Sequence, residues 1–185
     1  MRVLVAVYSS TFNTLKVANA VKEAMGADLT QIEGQRHGMI LDIAMAWLRL
    51  KTGIKPCRTD LKNYDMLILC SPTWSSSTPP AVNSYMAALQ QTEGKKLGVV
   101  ITMGGKGGDK VAVRMRNALE KKGMRYLDSL VFRTRDVENG AYFQKADQFV
   151  ASLKSKAAMP HVVEATKQNV SRIVRMLNLL AKLVR

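Results

Sequence analysis

From Arg2 to Tyr8 the chain is almost continuously apolar, the pattern of a strand buried on both faces. The run ends abruptly in Ser9, Ser10, Thr11, Phe12, Asn13 and Thr14. After that polar cluster, Leu15, Val17, Ala18, Val21, Ala24 and Met25 recur at roughly helical spacing, so the segment reads as strand, polar loop, helix. A helix start exposes backbone N–H groups and the positive end of a dipole, which suits a phosphate. One hydroxyl would suffice to cap the helix. Four hydroxyls and an amide in six residues point beyond a cap to anion binding. The loop carries no Lys and so is not the GxxxxGK[ST] loop of an ATPase or GTPase; hydroxyls and backbone amides must hold the anion.

The rest of the chain repeats the alternation. Strand candidates are Val3–Tyr8, the more polar Asp28–Ile32, Met66–Cys70, Leu97–Met103 and Leu127–Thr134. Helical patterns fall near 13–25, 39–51, 80–91, 110–122 and 141–154. Alternating β and α elements predict an α/β fold, a doubly wound five-stranded parallel sheet with helices on both faces. The polar second strand suits a sheet edge. With order 2-1-3-4-5, strands one, three and four are neighbours, and ligands bind beyond their carboxyl ends.

Three loops occupy those ends. The first is Ser9–Thr14. The second holds Pro72, Thr73, Trp74 and Ser75, where Trp74 is available to stack on a flat ligand or folds down onto the core. Pro79 and Pro80 stiffen its end and start the next helix. The third holds Thr102, Met103, Gly104, Gly105, Lys106, Gly107, Gly108 and Asp109, whose glycines either allow close backbone approach to a ligand or mark a flexible loop. No residue reads as a nucleophile or general base, and His37 and His161 are isolated. A bound cofactor is then expected to supply the chemistry.

With 185 residues and ordinary hydrophobic content, one folded domain is expected, and no run of 18 apolar residues predicts a membrane span. The N-terminus lacks a signal peptide's layout, so a cytoplasmic protein is expected. Two cysteines without a CxxC pair argue against a disulfide framework, a zinc site or a cysteine-ligated cluster. The net charge of +14 is unusual. It fits an anionic membrane surface, an acidic protein, nucleic acid, or simply a basic surface.

The three loops, in this order, resemble the flavodoxin-like family of FMN proteins over roughly residues 1–153. The family's phosphate loop reads approximately [ST]-x-T-G-x-T, matched here by Ser9–Thr14 with Phe12 in the glycine position. Pro72-Thr73-Trp74 looks like the loop whose aromatic stacks on the isoalloxazine ring, and Thr102–Asp109 corresponds to the second flavin loop. The resemblance implies non-covalent FMN and electron transfer, as a carrier or as a reductase of a quinone-like or protein acceptor. An NAD(P)H-dependent reductase is a further enzyme reading. A non-enzymatic interaction module on the same fold is the alternative from another class. The third loop lacks the Tyr that many flavodoxins stack on the ring, which would leave one flavin face open. Flavodoxins are typically acidic and have low potentials; here Lys106 or Lys110 beside the ring would raise the potential.

Two segments exceed that fold. Met39–Leu50 is apolar nearly all round, interrupted by Asp42 and Arg49, and is expected to pack in the core, with a dimer or membrane-surface contact as the alternative. Domain limits are set at 1–155 for the FMN-binding domain and 156–185 for a basic amphipathic C-terminal helix. There Val163, Val170, Leu177 and Val184, with Thr166, Ile173 and Leu180, form a seam of sevenfold spacing. From Lys154 onward seven Lys and Arg face one acid, Glu164. This helix is expected on its own domain, in a homodimer, or on an anionic membrane as a peripheral protein; nucleic acid is not an expected partner.

Overall fold

The computed structural model describes residues 1–35 and 38–159. His37, His161 and the sevenfold seam of 163–184 lie outside the described residues. Five strands, β1 (Val3–Val7), β2 (Asp28–Gln31), β3 (Met66–Pro72), β4 (Lys96–Met103) and β5 (Arg125–Arg133), form one parallel sheet in the order β2-β1-β3-β4-β5. The helices are α1 (Asn13–Met25), α2 (Met39–Trp47), α3 (Pro80–Ala88), α4 (Gly108–Glu120), the short α5 (Thr134–Glu138) and α6 (Tyr142–Ala158). Fold class and strand order are those expected. The short helix α5 carries no apolar period long enough to announce it.

The pleat divides each central strand's side chains between two layers. Leu4, Ala6, Leu67, Leu69, Leu97, Val99 and Ile101 pack with Ala81, Val82 and Tyr85 of α3 and with Val111, Ala112, Met115 and Leu119 of α4. On the opposite face, α1 buries Val17, Ala18 and Val21, and α6 buries Ala146, Phe149, Val150 and Leu153. Gly98 permits the close approach of α6, since a Cβ there would stand 3.1 Å from Leu153 Cδ1. All five residues of β1 are buried, whereas β2 at the edge is only partly so. Lys122 caps α3, its Nζ donating to the carbonyls of Met86, Ala87 and Leu89 at 2.8–2.9 Å. Helix α6 continues to Ala158.

Helix α2 corrects an expectation. Its apolar residues are not core: Ile40 is 85% and Trp47 71% exposed, and Leu41, Ile43, Leu48 and Leu50 are also exposed. Asp42 and Ala46, one turn apart, are the side chains that face inward. The cause is topological. Helices α1 and α6 cover one sheet face and α3 and α4 the other, leaving no sheet surface for α2. The helix also stops at Trp47 rather than near 51, because Arg49 takes a left-handed conformation (φ 57). Arg49 N–H then donates to Ala46 O and Leu50 N–H to Met45 O, closing the end as a Schellman motif. The chain beyond is tied to α3 by Thr52 N–H to Ser84 Oγ (2.9 Å) and by Asn83 Nδ2 to Leu50 O (3.0 Å).

Candidate functional site

The connections from β1 and β3 leave the sheet centre in opposite directions, so the loops at their carboxyl ends part. Between them lies a cleft of about 360 Å³ lined by Ser10, Thr11, Asp42, Ile43, Thr73, Trp74 and Ser75. That volume lies in the range of small-ligand sites.

On one side stands the start of α1. Phe12 is its N-cap, held in the left-handed region at φ 62, ψ −13, and no side chain caps the helix there. Lys16 N–H donates to Phe12 O (2.9 Å) and Leu15 N–H to Ser9 Oγ (3.3 Å). The N–H groups of Asn13 and Thr14 enter none of the described hydrogen bonds and remain donors for a ligand. The Phe12 ring is 71% exposed, so it gains little from packing in return for its backbone strain.

Across the cleft, Trp74 and Ser77 exchange two backbone hydrogen bonds of 2.9 Å. Ser75 (φ 47) and Ser76 (φ 58) between them form a tight two-residue turn with both residues left-handed. The Trp74 ring meets Tyr8 edge-on, with centroids 5.7 Å apart at 75°. Trp74 thus has one edge on the core cluster and also lines the cleft.

The third loop is fastened beneath and behind these two. Thr102 accepts Thr73 N–H at its carbonyl (2.9 Å) and shares a buried 2.7 Å hydrogen bond with the Thr14 hydroxyl. Ser76 Oγ donates to Lys106 O (3.3 Å), and Arg114 Nη1 donates to Ser76 O (2.8 Å). Gly107, at φ 93, lets the turn come this close, because a Cβ there would lie 2.5 Å from Ser76 Cβ. A Cβ at Gly108 would meet Val131 Cγ1 at 2.5 Å, so that glycine serves the packing of α4 on β5. Gly104 and Gly105 are exposed; a Cβ at Gly105 would meet nothing within 4 Å, and one at Gly104 only Thr134 Oγ1, at 4.0 Å.

The structure therefore brings Ser10, Thr11, Thr73, Trp74 and Ser75 to one cleft and places Thr14 and Thr102 together below it. None of Thr102–Asp109 lines this cleft among the described residues. Sequence reasoning missed Asp42 and Ile43. The signal was present, since Asp42 is the only polar residue between Met39 and Leu48. It also missed a basic flank. A second cleft, about 240 Å³, shares Ser75 with the first and is lined by Trp47, Arg49, Ser76, Ser77, Lys110 and Arg114. A third, about 510 Å³, adds Lys121 to Arg49 and Arg114, and no acidic residue lines either one among the described residues.

Among the described residues, no cluster of His, Cys, Asp or Glu could hold a metal ion, and no helix is long and apolar enough to cross a membrane. The lining of the first cleft fits a phosphorylated planar ligand: the hydroxyls of Ser10 and Thr11 beside the start of α1 on one side, an indole on the other.

Comparison with known proteins agrees with this fold. Flavodoxin 2 from Bacillus cereus superposes with a TM-score of 0.60 at 20% identity, covering 84% of this chain and 99% of its own. A Streptococcus pneumoniae flavodoxin gives 0.57 at 17%, covering 84% and 99%. A Lactobacillus acidophilus flavoprotein solved in complex with FMN gives 0.58 at 14%, covering 76% and 97%. Likeness at these identities speaks for the fold. No curated protein sequence matches this one. The family model described as NADPH-dependent FMN reductase matches residues 1–138. The chain belongs to that family of flavodoxin-like flavoproteins, with FMN as its cofactor and an FMN-dependent redox function.

Proposed function

We propose that this protein transfers electrons through FMN held in the cleft between the first two loops, as a carrier or as a reductase of a quinone-like or protein acceptor. The observation that carries this reading is the pairing, across one cleft, of the Ser10 and Thr11 hydroxyls at the start of α1 with Trp74. Ser9, Ser10, Thr11, Phe12, Asn13 and Thr14 bind the phosphate through backbone N–H groups and hydroxyls. Trp74 lies on one face of the ring, with Pro72, Thr73 and Ser75 shaping the loop around it. The backbone of Thr102–Asp109 approaches the pyrimidine edge, with Gly104 and Gly105 giving the unobstructed approach. When bound, FMN supplies the reversible uptake and release of electrons. The chain's own part is to bind the flavin, orient it, and surround it with charge.

The test is direct. The purified protein should be yellow with a flavin spectrum, and Thr11→Val with Trp74→Ala should weaken FMN binding by at least about tenfold. A colourless protein that does not take up added FMN would refute the reading. Rapid flavin reduction on adding NADPH marks a reductase; flavin that reduces only through a second redox protein marks a carrier.

A further inference from the structure

We propose that the exposed face of α2 and the cations beside it form a docking surface for an anionic lipid bilayer, set at the rim of the flavin cleft. The inference rests on the reading of that cleft as the flavin site. Six of the eleven large apolar residues exposed among the described residues fall between Ile40 and Leu50. From Ile40 to Leu48 the only polar side chain, Asp42, is turned inward, so the outer face of the helix offers hydrocarbon and an indole with no hydrogen-bonding group except the indole N–H. An apolar patch of this kind marks an interaction surface.

Three features choose the occupant. First, Trp47 shares a cleft with Arg49, Lys110 and Arg114 and, among the described residues, with no acidic one, which places a Trp beside a basic rim as at a membrane–water interface. Second, a copy of this chain is a poor partner, because a two-fold contact would bring equal basic rims together on proteins that each carry +14. Third, neither cleft bordering the strip on its basic side is lined by an acidic residue among the described residues, so that border is of one sign, as phosphate headgroups require. Phosphate headgroups match the cations, and acyl chains match Ile40, Leu41 and Leu48. Ile43 belongs both to this strip and to the cleft lining. An acceptor dissolved in the bilayer would thus meet the cleft without crossing water.

The full-length protein loaded with FMN is floated with vesicles of phosphatidylglycerol and, separately, of phosphatidylcholine. The expected result is binding to the first that falls with salt, with a blue shift of Trp47 emission read as the difference from Trp47→Phe. Ile40→Ser with Leu48→Ser should lower the affinity at least about tenfold while the flavin spectrum stays unchanged. Both residues are exposed, so the change does not threaten the fold. Binding that is equal in the double variant, with no Trp47 shift, would assign the lipid contact to another part of the chain and overturn the proposal. A dimer that dissociates in the double variant, or retention by an acidic protein without vesicle binding, would overturn it equally. Unaltered vesicle binding by a protein whose FMN uptake is indifferent to Thr11→Val with Trp74→Ala would instead sink the reading of the cleft as the flavin site alone.

Discussion

The hydroxyls of Thr14 and Thr102 meet at 2.7 Å beneath the cleft, joining the first turn of α1 to the end of β4 across 88 positions of sequence. Both side chains are buried. Replacing one by Val leaves the other's hydroxyl without a partner, at about 1–3 kcal/mol, whereas replacing both removes the polar pair altogether. Thr14→Val and Thr102→Val should each lower the denaturant midpoint, and the double variant should lose clearly less than their sum. An additive result would show that the two hydroxyls act independently.

Gly107 and Ser76 make a second such pair. Ala at 107 would adopt an unfavourable positive φ and press on Ser76 Cβ. Gly107→Ala should cost about 2–3 kcal/mol, and adding Ser76→Gly should restore roughly half of it by removing the contact. If the second change recovers nothing, the loss lies in the backbone of 107 alone.

Phe12 pays for its place with backbone strain. A left-handed L-residue costs roughly 1–2 kcal/mol, and glycine would remove that cost while giving up about 0.5–1 kcal/mol of chain entropy. The exposed ring has little packing to lose. Phe12→Gly should therefore raise stability by about 0.5–1 kcal/mol, and Phe12→Ala, which keeps the strain, should not. Thermal unfolding of the two variants side by side decides it.

At the sheet edge, Asp28 accepts from Tyr64 Oη (2.8 Å) and Arg2 Nη2 (3.3 Å), with Arg58 at 3.9 Å. The Tyr64 hydrogen bond, helped by the two arginines, holds its carboxyl below the ordinary 3.8. A depressed folded value means that the contribution is present above the unfolded value and is lost as pH falls through the folded one. Stability should thus decline as pH drops below about 4. Asp28→Asn should flatten that part of the decline, read as denaturant midpoint against pH from 5 to 2.5. An identical slope in the variant would remove Asp28 from the account.

How much of this could be read in advance follows from range. The strands and the three loops were legible because apolar runs and hydroxyl or glycine clusters are local, whereas the strand order came with the flavodoxin-like resemblance. Thr14 and Thr102 both stood among the candidate residues, yet their contact depends on two strands coming together and leaves no local trace. The left-handed Ser75 and Ser76 were likewise hidden, since serine carries no preference that announces such a turn. Helix α2 was misjudged for a different reason. Its apolarity was plain, but whether an apolar helix is covered depends on how many helices already occupy each sheet face. The Schellman end at Arg49 also sits on a residue that gives no stop signal.

With the flavin in the proposed cleft, the basic flank should bear on its potential. Lys110 lines the cleft that shares Ser75 with the proposed flavin cleft, and the carbonyl of Lys106 anchors the Ser76 hydroxyl, so both lysines belong to segments bonded to or bordering the Ser75–Ser76 turn. Positive charge near the ring stabilises the reduced, anionic form and raises the potential, opposite to the effect of an acidic surface. Both ammonium groups are exposed, so solvent and salt weaken the effect without abolishing it. Lys106→Gln with Lys110→Gln should lower the one-electron potential by on the order of 50 mV at low salt, and the difference should shrink at high ionic strength. Gln keeps length and polarity, so FMN affinity serves as the control for displacement of the loop. A potential that does not move in the double variant would place the two charges too far from the ring to matter, and the unusual charge of the chain would then act on partners rather than on the cofactor.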